Sequence, residues 1–212
     1  MALQREHWVS VEEYFAIDRA STDVKYEYMD GHMYAMSGGT IDHAEIAANL
    51  FFLLRRYLQG KACRAFSSNV RVQVAEKKYY YPDVTVSCNP EDWQQGTHDI
   101  IRTPRLVIEV LSPSTESFDR GKKFRTYQAC SSIEEYVLIN TTHHMVETYR
   151  RQGKIWAYQH FGPGQQVELG CIGFALPASA WWKDNDEDHK RMIICACLRC
   201  SMVPLVSRFP LV

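Results

Sequence analysis

Long apolar runs are missing from this sequence. No stretch approaches the roughly 20 residues that a membrane-spanning helix needs. The N-terminus has no charged start followed by an apolar core, which argues against a secretory leader. A cytoplasmic protein is therefore expected. Internal repeats and low-complexity linkers are also absent. Charge of one sign is scarce: the formal net charge is −1. That gives no global pull toward nucleic acid, so DNA binding would need a local basic surface. No helix-turn-helix, zinc-finger or RNA-binding motif is present to read a base sequence. The seven cysteines are an odd count with no secretion signal, so they read as reduced thiols. One pair, Cys197-x-x-Cys200, has a metal-like spacing, but a structural zinc site needs four ligands.

What is present is a globular balance, with 46% apolar and 23% charged residues in a chain of 212. That suits one domain over residues 8–183, followed by an atypical, cysteine-rich extension over 184–212. Ser10 and Glu13 form the sequence of a capping box at a helix start. Asp30-Gly31 between two short apolar stretches predicts a hairpin. Residues 41–58 carry Ile46, Leu50, Leu53, Leu54 and Tyr57 at helical spacing. Val70 to Val74 alternates like a half-buried strand, and Tyr81 to Val86 reads as another. Asn89 to Thr103 is loop-like. Leu106 to Leu111 suits a central strand covered on both faces. A helix is expected from about Ser117 to Cys130, a strand from Tyr136 to Asn140, and a second hairpin around Gln152-Gly153.

The chemistry concentrates in three places. Asp83 follows Pro82 at the entry of a strand, where proline is tolerated; alone it would equally serve as a turn or cap carboxylate. Glu109 interrupts an apolar strand, and a buried glutamate needs a compensating metal, lysine or arginine. A structural ion pair with Arg71 or Arg105 is the competing account. Asp119 and Lys123 stand four apart, on one helix face, on the helix that follows the Glu109 strand. Such pairs are also common as surface salt bridges. Two acids and a lysine brought together can hold a divalent metal and orient a water against a phosphodiester.

Pro82-Asp83 followed by Glu109-Val110-Leu111 resembles the Pro-Asp…(Asp/Glu)-x-Lys signature of restriction-endonuclease-like nucleases. The longer string Pro104 to Thr115, with Asp119-Arg120-Gly121-Lys122-Lys123 and Glu134-Glu135-Tyr136, is similar to the Uma-two family of bacterial restriction-endonuclease-like proteins. Tyr26 to Gly31, Met36-Ser37 and His43 fit that family's N-terminal pattern. The resemblance covers about residues 8 to 180. It implies an α/β fold, with a mixed central sheet flanked by helices and a metal site where the Asp83 and Glu109 strands diverge.

The signature's lysine would fall at position 111, where this chain has Leu111. In the family that role is thought to move to the following helix, which points to Lys123, with Lys122 as competitor. The resemblance further implies Asp83, Glu109 and the carbonyl of Val110 as ligands of magnesium or manganese, with Glu27 as an additional acid. Lys123 would hold or polarise the attacking water. His43 could face the same cleft, although a capping or packed histidine is an equal reading. Arg102, Arg105, Arg120, Lys122 and Arg125 form the local basic concentration expected to contact a nucleic-acid backbone. Tyr79-Tyr80-Tyr81 could stack on bases or pack around the strand entry. The expected activity is metal-dependent hydrolysis of DNA, with a homodimer as the expected assembly. One alternative is a weak or inactive nuclease-fold protein that binds nucleic acid or a protein partner; the other is a metal-free structural reading in which Glu109 pairs with Lys123 in the core.

Overall fold

A computed structural model describes residues 8–36, 38–94 and 99–182. The extension over 184–212, with Cys195, Cys197 and Cys200, and Ser37 of the N-terminal pattern lie outside the described residues.

Helix α1 (Val11–Ala20) begins as its sequence requires. The Ser10 hydroxyl accepts from the Glu13 N–H, while the Glu13 carboxylate accepts from the Ser10 N–H. Strands β1 (Tyr26–Met29) and β2 (His32–Ala35) pair antiparallel. They turn at Asp30 and Gly31, both with positive φ, as an Asp-Gly hairpin demands. Helix α2 (Ile41–Tyr57) follows, with Thr40 accepting from the His43 N–H as its cap.

The chain then alternates between two sheets. Strands β3 (Arg64–Ser67), β4 (Arg71–Ala75), β5 (Lys78–Tyr80), β6 (Val84–Ser87), β7 (Ile100–Ile101) and β8 (Pro104–Leu111) precede a helical run. That run consists of α3 (Glu116–Phe118), a π-helical segment (Asp119–Lys123) and α4 (Phe124–Ala129). It leads to β9 (Glu135–Asn140), β10 (Met145–Gln152), β11 (Ile155–Phe161), β12 (Gln166–Leu169) and β13 (Phe174–Pro177).

The architecture is α/β with mixed sheets. Where one central sheet was expected, there are two main ones: five strands in the order β2-β1-β5-β4-β7, and six in the order β11-β10-β9-β8-β6-β3. A separate pair, β12-β13, completes the strands. In the larger sheet β8 runs parallel to β9 and antiparallel to β6. It is central, and from Leu106 to Leu111 every side chain is buried, as its unbroken apolar sequence suggests. Helix α2 packs across β3, β6 and β8. Its buried residues Ile46, Leu50, Leu53 and Leu54 are those picked out by their spacing.

Two expectations are corrected. Cys63 and Cys88 are joined by a disulfide, so the reading of every cysteine as a reduced thiol fails for this pair. The cause is register: Arg64 pairs with Ser87 across β3 and β6, which sets the two cysteines beside each other one step beyond the ladder. The stretch read as loop between Asn89 and Thr103 contains the short strand β7 and a 3-10 turn at Pro90–Asp92.

Candidate functional site

The site forms where the two sheets meet. Tyr80 ends β5 in one sheet and Val84 begins β6 in the other, so Tyr81, Pro82 and Asp83 are the bridge between them. Pro82 has no N–H to offer a ladder and is accommodated outside the strands. Since Val84 pairs with Ile108, the next antiparallel step sets Asp83 opposite Glu109. Asp83 uses both oxygens: Oδ2 accepts from the Val110 N–H at 2.8 Å, and Oδ1 lies 3.0 Å from His43 Nε2.

Glu109 is only 4% exposed, so its compensation can be traced completely. Its Oε1 accepts from the Tyr127 hydroxyl at 2.8 Å and lies 2.8 Å from Lys123 Nζ. The same ammonium lies 2.9 Å from Glu27 Oε1 and 3.7 Å from Asp119 Oδ1. Glu27 also accepts from the Tyr81 N–H at 3.1 Å. Neither Arg71 nor Arg105 is Glu109's partner. Arg71 is bound to Asp18, and Arg105 pairs with Glu134. Lys123 reaches the carboxylates from the π-helical segment, a distortion of the kind that recurs at functional sites. At position 111 the chain places a buried leucine in the apolar core.

Burial pushes the Glu109 carboxyl well above the ordinary carboxylate range, and Asp119, Asp83 and Glu27 push the same way against Lys123. Burial alone would lower Lys123, but its three carboxylate neighbours more than offset that and hold it well above its usual value. The bond to Asp83 raises His43 despite burial. Four carboxyl groups, those of Glu27, Asp83, Glu109 and Asp119, thus share one cavity with the Lys123 ammonium and the His43 imidazole. That imbalance suits an added cation.

The structure brings Asp83, Glu109, Lys123, Glu27 and His43 around this cavity of about 260 Å³, which Val110 also lines. The five basic residues expected to contact nucleic acid do not line it. Arg105 is paired with Glu134, and Arg120 is bound to Glu116 and Glu147. Arg102, Lys122 and Arg125 are exposed elsewhere. The three tyrosines Tyr79, Tyr80 and Tyr81 are buried, so they pack around the strand entry instead of offering stacking faces. Tyr127 escaped the sequence reading as a site residue. Asp119, Lys123 and Tyr127 recur every four residues, and that periodicity would have shown it.

Among the described residues no three His, Cys, Asp or Glu side chains form a ready metal cage. The donor set here is two facing carboxylates, with Glu27 held against Lys123. Such a set fits a hard cation that keeps several of its own waters, as magnesium does.

The family model Uma2, described as "Putative restriction endonuclease", matches residues 11–179. The chain is 35% identical over 170 residues to the uncharacterized protein slr1290 of Synechocystis sp., covering 79% of this chain and 88% of that one. A second uncharacterized protein of the same organism, sll1609, is 30% identical over 142 residues, covering 66% and 80%. A crystal structure described as a putative nuclease belonging to DUF820, from Anabaena variabilis, superposes with a TM-score of 0.69 at 17% identity. It covers 82% of this chain and 97% of that one and shares its fold. No helix among the described residues is long and apolar enough to cross a membrane.

Proposed function

Because this chain belongs to the Uma2 family, we propose that it is a metal-dependent nuclease that hydrolyses phosphodiester bonds of DNA. One observation carries the reading: Asp83 and Glu109 face each other across the edge of an antiparallel ladder, with the Lys123 ammonium 2.8 Å from Glu109. Asp83, Glu109 and the Val110 carbonyl would hold magnesium or manganese. A divalent ion bound there would neutralise phosphate charge and acidify a water.

The chain's own groups divide the remaining work. Lys123 is held protonated by its three carboxylate neighbours. It is therefore a donor that orients the attacking oxygen and meets charge on the phosphate, not a proton acceptor. His43 fixes the outward oxygen of Asp83, and Tyr127 fixes Glu109. Glu27 anchors Lys123 from the other sheet.

The test is cleavage of plasmid and single-stranded DNA with magnesium or manganese by wild type, Asp83→Ala and Lys123→Met. Cleavage by wild type should fall at least about a hundredfold in either variant. A wild type that cuts none of these substrates, or an Asp83→Ala that cuts as well, refutes the reading.

A second reading is favoured by one feature. Lys123 already compensates Glu109, and both Asp83 oxygens are already bonded. The cluster is thus closed without a metal, as in a nuclease fold that binds without turnover. DNA affinity unchanged by Glu109→Gln, with no cleavage, would support it.

A further inference from the structure

A second cavity, of about 540 Å³, leads away from the carboxylate cavity and shares His43, Asp83 and Gly39 with it. It runs between α2, where Ala44, Ala47, Ala48 and Phe51 line it, and Ser67 at the end of β3. A third cavity, of about 970 Å³, lies further along the same pair of elements, between Arg55 and Arg56 of α2 and Arg64 and Ala65 at the start of β3. Since α2 packs on β3, the two lie end to end along one seam.

Charge changes sign along this seam. It begins at Asp83 and continues along the small residues Ala44, Ala47 and Ala48 of α2, with Asp23 and Lys25 of opposite charge on the far wall. It ends at Arg55, Arg56, Lys61 and Arg64, with no carboxylate lining the far cavity. Arg55 and Arg56 are exposed and make no side-chain hydrogen bond or ion pair among the described residues. Lys61 lies over the Tyr57 ring and Arg64 over the Trp93 ring, which hold their stems in place. Complementing the dipole at the end of α2 accounts for Arg55 and Arg56. It does not account for Arg64, which comes from a strand. Moreover, β3 is the edge of its sheet, so the backbone on its outer side has no neighbouring strand there.

We propose that the α2–β3 seam is a track for a single strand of nucleic acid, whose phosphates lodge at Arg55, Arg56, Lys61 and Arg64 while the strand continues to the carboxylate cavity. The assignment of nucleic acid as the ligand rests on the nuclease reading. The seam gives it a length. Helical rise sets Arg55 about 18 Å from His43, or about five stacked nucleotides. At stacked spacing a strand of that length reaches from one end to the other. The basic contacts lie outside the cluster first expected from sequence, of which Arg105 and Arg120 are taken up by salt bridges.

The experiment measures fluorescence anisotropy of end-labelled single strands of about 4 and about 12 nucleotides with the full chain, in calcium or without metal, so that turnover is not read. The probes are the double variant Arg55→Gln/Arg56→Gln and, as control, Lys154→Gln in the exposed β10–β11 turn. For the longer strand the double variant should bind about tenfold more weakly near 0.15 M salt, with a salt slope shallower by about 1.4. The shorter strand, which lodges at the same four cations, should lose affinity as well, and the Lys154 control should be unchanged. No loss for the longer strand, or an equal loss in the control, overturns the track. If wild type cuts nothing yet shows this affinity and salt pattern, the track stands and the nuclease reading falls. If wild type cuts DNA but the pattern is missing, the reverse holds.

Discussion

Glu109 carries the strongest electrostatic tension in the site, and that has a consequence for stability. Burial and three neighbouring carboxylates outweigh Lys123 and raise its proton affinity in the fold. In the unfolded chain the same group titrates in the ordinary range. Its contribution is therefore fully present below that range and lost as pH rises through its folded value. Glu109→Gln cannot ionise. Wild type should lose stability relative to this variant as pH rises above the ordinary carboxylate range, read from urea midpoints. Parallel curves would show that Lys123 fully offsets the burial. The glutamate itself was legible because Leu106 to Leu111 admits no other polar residue. Its partner was legible as one of several: Lys123, on the helix that follows the Glu109 strand, stood beside Arg71 and Arg105 as a candidate. Asp18 and Glu134 claim the two arginines, and those pairings depend on contacts between elements that no local pattern reveals.

At the scale of elements, what could be read was whatever carried a strong local signal. The capping box of α1, the Asp-Gly hairpin and the apolar stripe of α2 each have a mechanism confined to a few neighbouring residues. Strands β3 and β5 have none: Arg64 to Ser67 shows no clean alternation, and Lys78 to Tyr80 is three residues long. With β3 unseen, the Cys63–Cys88 pairing was invisible too, because only the β3–β6 register brings the two together. The bond closes a loop of 25 residues from the end of α2 to the end of β6. Such a closure limits the unfolded chain and is worth about 3.5 kcal/mol. Cys63→Ser/Cys88→Ser, or reduction of the wild type, should lower stability by about that much in denaturant titration. A loss under about 0.5 kcal/mol would show that the β3–β6 ladder holds this edge without help. The same edge carries Arg64, so a large loss would also loosen the basic end of the seam.

Across the whole molecule, the site is also the joint between the sheets. Glu27 belongs to the five-stranded sheet, Glu109 to the six-stranded one, and Lys123 bonds both. Tyr81 to Asp83 is the covalent link beside them. A cation entering the cavity would add to this joint, since four carboxyl groups face one ammonium and one imidazole there. Any ligand that binds only the folded state raises stability in proportion to the logarithm of its concentration. Manganese at about one hundred times its dissociation constant should therefore stabilise the protein by about 2.7 kcal/mol, seen as a higher melting temperature. Calcium should stabilise it as well, because it is also a hard, oxygen-seeking cation. Asp83→Asn removes one charge while keeping the shape that receives the Val110 N–H, so it should abolish most of the metal-induced rise without unfolding the protein. A rise of equal size in Asp83→Asn would place the cation away from the joint, and the carboxylate cluster would then be an ion-pair lock between two sheets rather than a metal centre.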